Sequence, residues 1–360
     1  MARVDLSDYG YVNARVRGMR SYLLTRDFTL RMVETENFEA LHSMLEQTVY
    51  RREINEAILT NPERPDYDQA LSLNQIAAFR KVLDSTGGDA HNLCVILMSR
   101  YDVQNVKAVL RGKKGNATPS EVLALMVPVG VIKMDTLEQM AQAREVRDAI
   151  NVLVSQQNKY GQALASAYGA YQKKMQDLAV LELALDKFNY RDCINQLTGH
   201  DRNVEMVRQM ITAEIDMRNV STLVRVRGLK LDDDEVEGLR IDGGTLAKDQ
   251  FLGLHRLGDV VQIVSEYPDP RFRKPLEKAL AEYQEIDVVA FDKELEREII
   301  RRGAAMSNID VLGIGVVIGF MFSKQNEIIN LRIILRGKMM ERPQGDIKKD
   351  LFFFGQESEG

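Results

Sequence analysis

The sequence lacks several features that would identify whole classes of protein. Its 360 residues include only eight prolines and two cysteines, Cys94 and Cys193, which stand far apart among apolar residues. Two isolated cysteines give no disulfide framework of the secreted type and fit a reducing cytoplasm. The N-terminal residues have neither the apolar stretch nor the cleavage site of a signal peptide, so secretion is not expected.

Long apolar runs and a strong net charge are also missing. The most membrane-like stretch is VLGIGVVIGFMF, twelve residues from Val311 to Phe322, whereas a membrane-spanning helix needs about 20 apolar residues. The 48 basic and 53 acidic side chains give a formal charge of −5, and so no general attraction to nucleic acid or anionic lipid. The basic residues Arg15, Arg17 and Arg20 are too sparse to change this. We therefore predict no transmembrane segment and no nucleic-acid partner.

Nucleotide-binding motifs are absent as well. The sequence contains no GxxxxGK[ST] loop, and the glycines between Gly313 and Gly319 miss the GxGxxG spacing by one residue. We interpret this segment as a buried helix in which Gly315 and Gly319 let a neighbouring backbone approach closely. No cofactor is predicted.

Candidate metal ligands and catalytic groups are isolated. The four histidines have no partners at useful spacing, and His91 with Cys94 would supply only two zinc ligands. The acidic run from Asp232 to Glu235 lacks the alternating ligands and central glycine of a calcium loop, so we expect a solvated loop. We predict no catalytic residue and no metal site.

Helical periodicity dominates what is present. Long windows of Leu, Ala, Glu, Arg, Lys, Gln and Met carry apolar residues at spacings of three and four, while alternating strand patterns are scarce. The fold class is therefore predicted to be all-α. Turn-forming residues predict breaks at 61–66, 86–89, 112–119, 231–244 and 267–270.

One helical motif occurs three times. If an acidic residue is placed at position 0, Asn follows at +3, apolar residues at +1, +4, +7 and +8, Arg at +9 and a basic residue at +11. The acidic and Asn pairs are Asp102 and Asn105, Asp216 and Asn219, and Glu327 and Asn330. The first two copies are separated by 114 residues and the last two by 111. A period this long indicates three related subdomains rather than an open solenoid.

Two further patterns support the repeat. The spacing Gly-x-apolar-x-x-Asp-x-apolar-x-x-apolar begins at Gly130 and again at Gly244, with the same offset of 114 residues. A weaker similarity relates residues 184–187 to residues 290–293. From these patterns we predict subdomains at 1–145, 146–266 and 267–355, followed by a frayed tail at 356–360.

The repeated motif predicts a helix with one buried face. Its apolar positions form a single stripe, with the acid and the Asn at the edge. The Asn is expected to bond a neighbouring helix or loop. The glycine near each helix end, at +10 in Gly112 and Gly337 and at +12 in Gly228, is expected to permit a left-handed cap. Thr118, Pro119 and Glu121 have the pattern of a helix restart. The Arg at +9 can be interpreted in two ways: it caps the helix or forms an ion pair within the chain, or it contacts a partner protein. The candidates for partner contact are Arg111, Arg225 and Arg336.

Several of these stretches resemble one known family. YVNARVRGMRSYLL near the start, the three acid-x-x-Asn helices and IDVLGIGVVIGFMFSKQNEIINLRIILRGK near the end are similar to the C subunit of V-type and A-type rotary ATPases, whose eukaryotic counterpart is the d subunit. The similarity covers nearly the whole chain. It implies an all-helical funnel of three related subdomains with pseudo-threefold repetition.

The resemblance also implies a mechanical role without catalysis. A protein of this family is a peripheral rotor connector on the cytoplasmic face of the membrane. It couples the central-shaft subunits, of D and F type, to the proteolipid ring during ion transport or ATP synthesis. One alternative is a general helical adaptor that binds helical peptides. A hydrolase is less favoured, because it would need convergent carboxylates and no local spacing in the sequence predicts them.

Overall fold

A computed structural model of the chain describes residues 6–63, 65–282 and 288–354. Within these ranges all regular secondary structure is helical, which confirms the predicted all-α class. No described helix is both long and apolar enough to cross a lipid bilayer. The predicted tail at 356–360 lies outside the described residues.

The chain divides into two compact units, Met1–Gly169 with Gly303–Gly360 and Ala170–Arg302. The first and third copies of the repeated motif lie in the first unit, and the second copy lies in the second unit. The three-subdomain division at 145 and 266 stays a prediction.

The helices of the first unit come from both ends of the sequence. They are α1 (Leu6–Arg20), α2 (Arg26–Glu34), α3 (Phe38–Leu45), α4 (Arg51–Thr60), α5 (Tyr67–Leu83), α6 (Gly88–Lys114), α7 (Pro119–Ala124), α8 (Met134–Gln142), α9 (Val146–Ser155), α10 (Lys159–Lys173) and, near the end of the sequence, α17 (Val288–Ile309), α18 (Gly315–Met339) and α19 (Gln344–Asp350). Of these, α10 has its last residues and α17 its first residues in the second unit.

The second unit is built from the middle of the sequence. Its own helices are α11 (Leu178–Gln196), α12 (Arg202–Val226), α13 (Asp233–Leu239), α14 (Lys248–Leu257), α15 (Val260–Ser265) and α16 (Pro270–Glu282).

The core of the first unit forms around the apolar stripe of α18. Ile328, Leu331, Ile334 and Leu335 pack against buried residues of α2 to α5 and α19, including Tyr50. Burying one large aliphatic side chain contributes ~1.5–3 kcal/mol relative to exposure, so this stripe is a major source of stability for the unit. Residues from both ends of the sequence therefore share one core.

Two predicted features of local sequence are confirmed. Thr118 caps α7 in a reciprocal arrangement with Glu121, directly before Pro119. Gly315 and Gly319 lie in buried α18, where an added Cβ would meet Met306 O at 2.6 Å and the Cβ of Ser307 at 2.5 Å, respectively. Only glycine allows α17 and α18 to approach this closely.

The predicted left-handed cap is confirmed in the second copy, where Gly228 follows the last helical turn of α12 with a φ of +74°, but it is wrong in the other two copies. Gly112 and Gly337 do not end their helices, because α6 and α18 continue past them. A Cβ on Gly112 would lie 2.3 Å from Val122 of α7, and one on Gly337 would lie 2.7 Å from Ile347 of α19. These glycines therefore allow the next helix to pack closely.

The prediction for the acidic run from Asp232 to Glu235 is also wrong. Asp232 caps α13 in a reciprocal arrangement with Glu235, and Asp233 and Asp234 lie in the first helical turn. The predicted solvated loop is thus the beginning of a helix, where acidic side chains interact favourably with the helix dipole. The Asp-x-x-Glu spacing was the sequence signal for it.

Candidate functional site

The three copies of the motif place their acid and Asn on α6, α12 and α18. All six of these side chains are buried: Asp102, Asn105, Asp216, Asn219, Glu327 and Asn330. The twelve apolar residues of the motif are buried too: Val103, Val106, Val109, Leu110, Met217, Val220, Leu223, Val224, Ile328, Leu331, Ile334 and Leu335. Burial requires the polar atoms of the acid and the Asn to find partners.

Each Asn exchanges two hydrogen bonds with the backbone 22 residues later. Asn105 Nδ2 donates to Val127 O at 3.0 Å, and Val127 N donates to Asn105 Oδ1 at 2.9 Å. The same pair of bonds joins Asn219 to Ile241, at 2.9 and 2.8 Å. It also joins Asn330 to Phe352, at 2.8 and 3.0 Å. The Asn therefore fixes the chain that follows the helix at one register in all three copies.

The acid accepts hydrogen bonds from the same following segment in the first two copies. Val131 N and Ile132 N donate to the two carboxylate oxygens of Asp102, at 2.8 and 2.9 Å. Thr245 N donates to Asp216 Oδ1 at 2.8 Å, and the Thr245 hydroxyl donates to Oδ2 at 2.6 Å. We call each acid and Asn, together with the groups that bond to them, an acid–asparagine clamp.

Gly130 and Gly244 are required by the clamps. A Cβ added to Gly130 would lie 2.2 Å from Asp102 Oδ2, and one added to Gly244 would lie 2.3 Å from Asp216 Oδ1. Neither glycine has a positive φ angle, so the reason is close approach to the carboxylate rather than backbone conformation. This explains why glycine recurs at position +28 of the first two copies.

Burial raises the pKa of both aspartates, Asp102 and Asp216. Loss of solvation raises the pKa of Asp102 from 3.8 to about 6, although the N–H groups of Ile132 and Val131 act in the opposite direction. Burial likewise raises the pKa of Asp216, and hydrogen bonds from Thr245 partly offset the shift. A buried carboxylate loses more from desolvation than these hydrogen bonds restore.

The third clamp uses a different set of donors. Tyr50 OH donates to Glu327 Oε1 at 2.5 Å, Lys324 Nζ donates to the same oxygen at 3.0 Å, and Leu24 N donates to Oε2. Lys324 Nζ also donates to Tyr50 OH at 2.6 Å. Burial lowers the pKa of Lys324 and raises that of Tyr50. Here the N-terminal part of the chain closes the third copy.

Side chains predicted to be chemically inert have ordinary surroundings. Cys94 and Cys193 are buried and do not form a disulfide, and burial raises the pKa of the Cys94 thiol to about 12. His91 Nδ1 lies 3.2 Å from the Thr86 hydroxyl. Among residues 6–63, 65–282 and 288–354, no group of three or more His, Cys, Asp or Glu side chains is placed to hold a metal ion.

A model of the ATP synthase (C/AC39) subunit family matches residues 12–349. The chain belongs to this family. Membership confirms the resemblance found in the sequence. It also supports the prediction that the chain is a non-catalytic component of a rotary ATPase.

Curated relatives of the family cover most of the chain. The C subunit of the A-type ATP synthase from Methanocaldococcus jannaschii is 23% identical over 93% of this chain and 84% of its own length. The protein of the same name from Methanococcoides burtonii is 25% identical over 96% and 94%. That from Haloferax volcanii is 27% identical over 94% and 95%. The chain therefore aligns with these proteins almost from end to end.

The basic helix ends of this family member have partners within the chain. Arg225 forms an ion pair with Asp292, and Arg336 Nη2 lies 2.8 Å from Asp68 Oδ2. About 60% of the Arg225 side chain and 57% of the Arg336 side chain remain exposed. The third candidate, Arg111, is exposed at the end of α6. Both interpretations of the Arg at +9 therefore stay open, because an ion pair at a half-exposed site leaves room for a partner.

Proposed function

We propose that the chain is the non-catalytic rotor connector of a V-type or A-type ATPase, coupling the central shaft to the proteolipid ring of the membrane. Family membership over residues 12–349 is the observation that carries this proposal. The relatives named above are subunits of A-type ATP synthases. The pseudo-threefold funnel, and a position on the cytoplasmic face of the membrane, belong to the same proposal.

A connector that transmits torque must resist shear, and the clamps supply a physical basis for this. Each Asn ties a following segment to its helix through two buried hydrogen bonds, and Asp102 and Asp216 add further bonds to the segments in the first two copies. Buried, paired polar groups hold one backbone register, because any displacement leaves them without partners. Closely packed helices add low compressibility.

Co-purification tests the role directly. The full chain, carrying an affinity tag, is isolated from detergent-solubilised membranes of cells that contain the complex. A rotor connector recovers the D- and F-type shaft subunits and the proteolipid ring together. An adaptor for helical peptides would recover other proteins without the ring, and that result would rule out the proposal.

The basic helix ends are proposed as contacts to the shaft or the ring. Reversing the charge in Arg111→Glu, Arg225→Glu or Arg336→Glu should weaken shaft binding by about tenfold, or ~1.4 kcal/mol, if the partner surface is acidic. Arg144→Glu, at an exposed position outside the repeat, is the matched control. Unchanged affinity in all three charge reversals would remove these residues from the interface.

Local destabilisation is separated from lost partner contact by a charge swap. The double variant Arg225→Asp/Asp292→Arg retains an ion pair within the chain but moves the positive charge from one helix to the other. If Arg225 contacts the partner, the swap should weaken shaft binding as Arg225→Glu does. Restored binding in the swap would mean that the internal ion pair alone is needed.

A further inference from the structure

A cavity of about 380 Å³ lies beside the third clamp in the first unit. Residues from both ends of the sequence line it, including Arg20, Arg26, Thr29, Asn326, Phe353 and Phe354. Cavities that bind small molecules have volumes of about 300–1,000 Å³ and combine apolar walls with a few polar groups. Because the lining residues are far apart in the sequence, no local spacing marks this site.

Two guanidinium groups at the cavity have no carboxylate partner among the described residues. Arg20 donates to the Ser307 hydroxyl at 3.0 Å, and the guanidinium of Arg26 lies 5.6 Å from the centre of the Phe353 ring. Each guanidinium has five N–H donors, so most of them stay available to a ligand. Helix α2 begins at Arg26, and the positive end of its dipole therefore adds to the charge at the cavity.

The acidic side chain among the described lining residues does not cancel this charge. Both oxygens of Glu327 accept hydrogen bonds, from Leu24, Tyr50 and Lys324. Lys324 also balances the negative charge of Glu327 in a buried ion pair. Asp27, next to Arg26 in the sequence, is exposed and does not line the cavity. The two arginines therefore give the cavity a net positive charge, which favours an anion.

One buried acceptor among the lining residues has no donor. Asn326 is 6% exposed, and its Nδ2 donates to Phe352 O at 2.8 Å. Its Oδ1 accepts no hydrogen bond from any part of the chain that the structure describes. A buried acceptor without a donor is unfavourable. An anion that also carries a hydroxyl group would supply this donor.

We propose that the cavity binds a phosphate ester that carries hydroxyl groups, of which glycerol phosphate is the simplest. The phosphate accepts hydrogen bonds from Arg20 and Arg26, because planar guanidinium groups match the geometry of phosphate oxygens. Its three acceptor oxygens suit two guanidinium groups better than the two oxygens of a carboxylate do. A hydroxyl group of the ester donates to Asn326 Oδ1, and the rings of Phe353 and Phe354 pack against its carbon atoms.

This chemistry has two sources, a free phosphate ester and the headgroup of an anionic lipid. The proposal does not depend on the rotor-connector role, and its experiments use the purified full chain rather than the complex. Loss of one proposal therefore leaves the other intact.

Isothermal titration calorimetry with glycerol 3-phosphate tests the site. The wild type should bind it saturably, and Arg26→Gln should weaken binding by about tenfold, because one of the two guanidinium groups is lost. Arg31→Gln is the matched control, since it removes one positive charge from an exposed position of α2 that does not line the cavity. The control should stay within about twofold of the wild type. No saturable binding, or an equal loss in the two variants, would overturn the proposal.

Two analogues of the ligand test its two halves without changing the protein. Propyl phosphate lacks the hydroxyl groups, so it should bind several-fold more weakly than glycerol 3-phosphate, and glycerol alone should give no measurable binding. If propyl phosphate binds as tightly as glycerol 3-phosphate, the ester makes no hydrogen bond to Asn326 and the assigned ligand class is wrong.

Co-sedimentation with lipid vesicles distinguishes the two sources. If the ligand is a lipid headgroup, the wild type and Arg31→Gln should sediment with phosphatidylglycerol vesicles and not with phosphatidylcholine vesicles, and Arg26→Gln should sediment several-fold less. If the ligand is a free ester, glycerol 3-phosphate should bind in calorimetry while none of the three proteins sediments. Sedimentation that Arg26→Gln and Arg31→Gln reduce equally would reflect non-specific attraction and count against the site. Circular dichroism of each variant verifies that the helices are intact.

Discussion

Asn105 and Val127 exchange two buried hydrogen bonds, one from the side-chain amide to Val127 O and one from Val127 N to the side-chain oxygen. A strand neighbour would satisfy the same two backbone groups in a β-sheet. Here a single side chain does so, which lets irregular backbone lie in a buried position against a helix. The same exchange, 22 residues along, occurs at Asn219 and Asn330.

Replacing the amide side chain of Asn105 should therefore destabilise both the loop at Val127 and its contact with α6. Asn105→Ala is expected to lower the free energy of unfolding by about 2–4 kcal/mol, because two buried backbone groups lose their partners. Urea denaturation measures the loss, and amide hydrogen exchange should show faster exchange at Val127. Asn151→Ala, at an exposed site on α9, should stay within ~0.5 kcal/mol of the wild type. Equal effects of the two substitutions would contradict the clamp.

Gly130→Ala tests the close approach to Asp102. The added Cβ would lie 2.2 Å from a carboxylate oxygen, so the loop must move and lose its bonds to the acid, at a cost of about 1–3 kcal/mol. Gly169→Ala is the control, because nothing lies within 4 Å of its added Cβ in α10. That control should stabilise the helix by about 0.5–1 kcal/mol. The comparison is made by thermal and urea unfolding, and a neutral Gly130→Ala would refute the steric argument.

The helices and the repeat could be predicted from the sequence because they depend on local periodicity. The stripe around Asn105 and the cap at Thr118 are both encoded within a few residues. The partners of the acid and the Asn could not be predicted, since they are backbone groups in loops, and backbone groups carry no sequence signature. Only the recurring glycine at Gly130 and Gly244 marked the place where those loops approach the acid.

The third copy shows a second limit of prediction from the sequence. Its acid is Glu327, one methylene longer than the aspartates, and its donors include Leu24 and Tyr50, about 300 residues away in sequence. A spacing rule derived from the first two copies gives the wrong partners for this acid. Contacts between distant parts of a chain depend on tertiary packing, which periodicity does not specify.

The raised pKa of Asp102 predicts a pH dependence with a definite sign. The folded pKa, about 6, lies above the usual value of 3.8, so the folded state binds a proton more tightly than the unfolded state between these pH values. Stability due to this group is therefore greatest below pH ~4 and falls as the pH rises to ~6, by roughly 3 kcal/mol. Urea unfolding of the wild type and of Asp102→Asn, compared at several pH values, isolates the effect. A wild type that gains stability relative to Asp102→Asn over this range would show the opposite sign and contradict the prediction.

Lys324 and Glu327 form a buried ion pair, with Nζ and Oε1 3.0 Å apart and side-chain exposures of 4% and 7%. Lys324→Met alone should cost about 3–5 kcal/mol, because it leaves the carboxylate of Glu327 buried without its cation. Adding Glu327→Gln should recover part of this loss, which gives a coupling energy of at least ~1 kcal/mol in a double-mutant cycle. Urea denaturation of the wild type, the two single variants and the double variant measures that coupling.

Lys349 and Asp346 provide the matched cycle, because they have the same i,i+3 spacing but side-chain exposures of 82% and 50%. Lys349→Met and Asp346→Asn should be nearly additive, with a coupling below ~0.5 kcal/mol, since water screens an exposed pair. Burial is the physical difference between the two pairs, so it should account for the difference in coupling. If the Lys324 cycle is as additive as the Lys349 cycle, then the buried cluster does not hold the third copy together, and Leu24 and Tyr50 contribute to it only by packing.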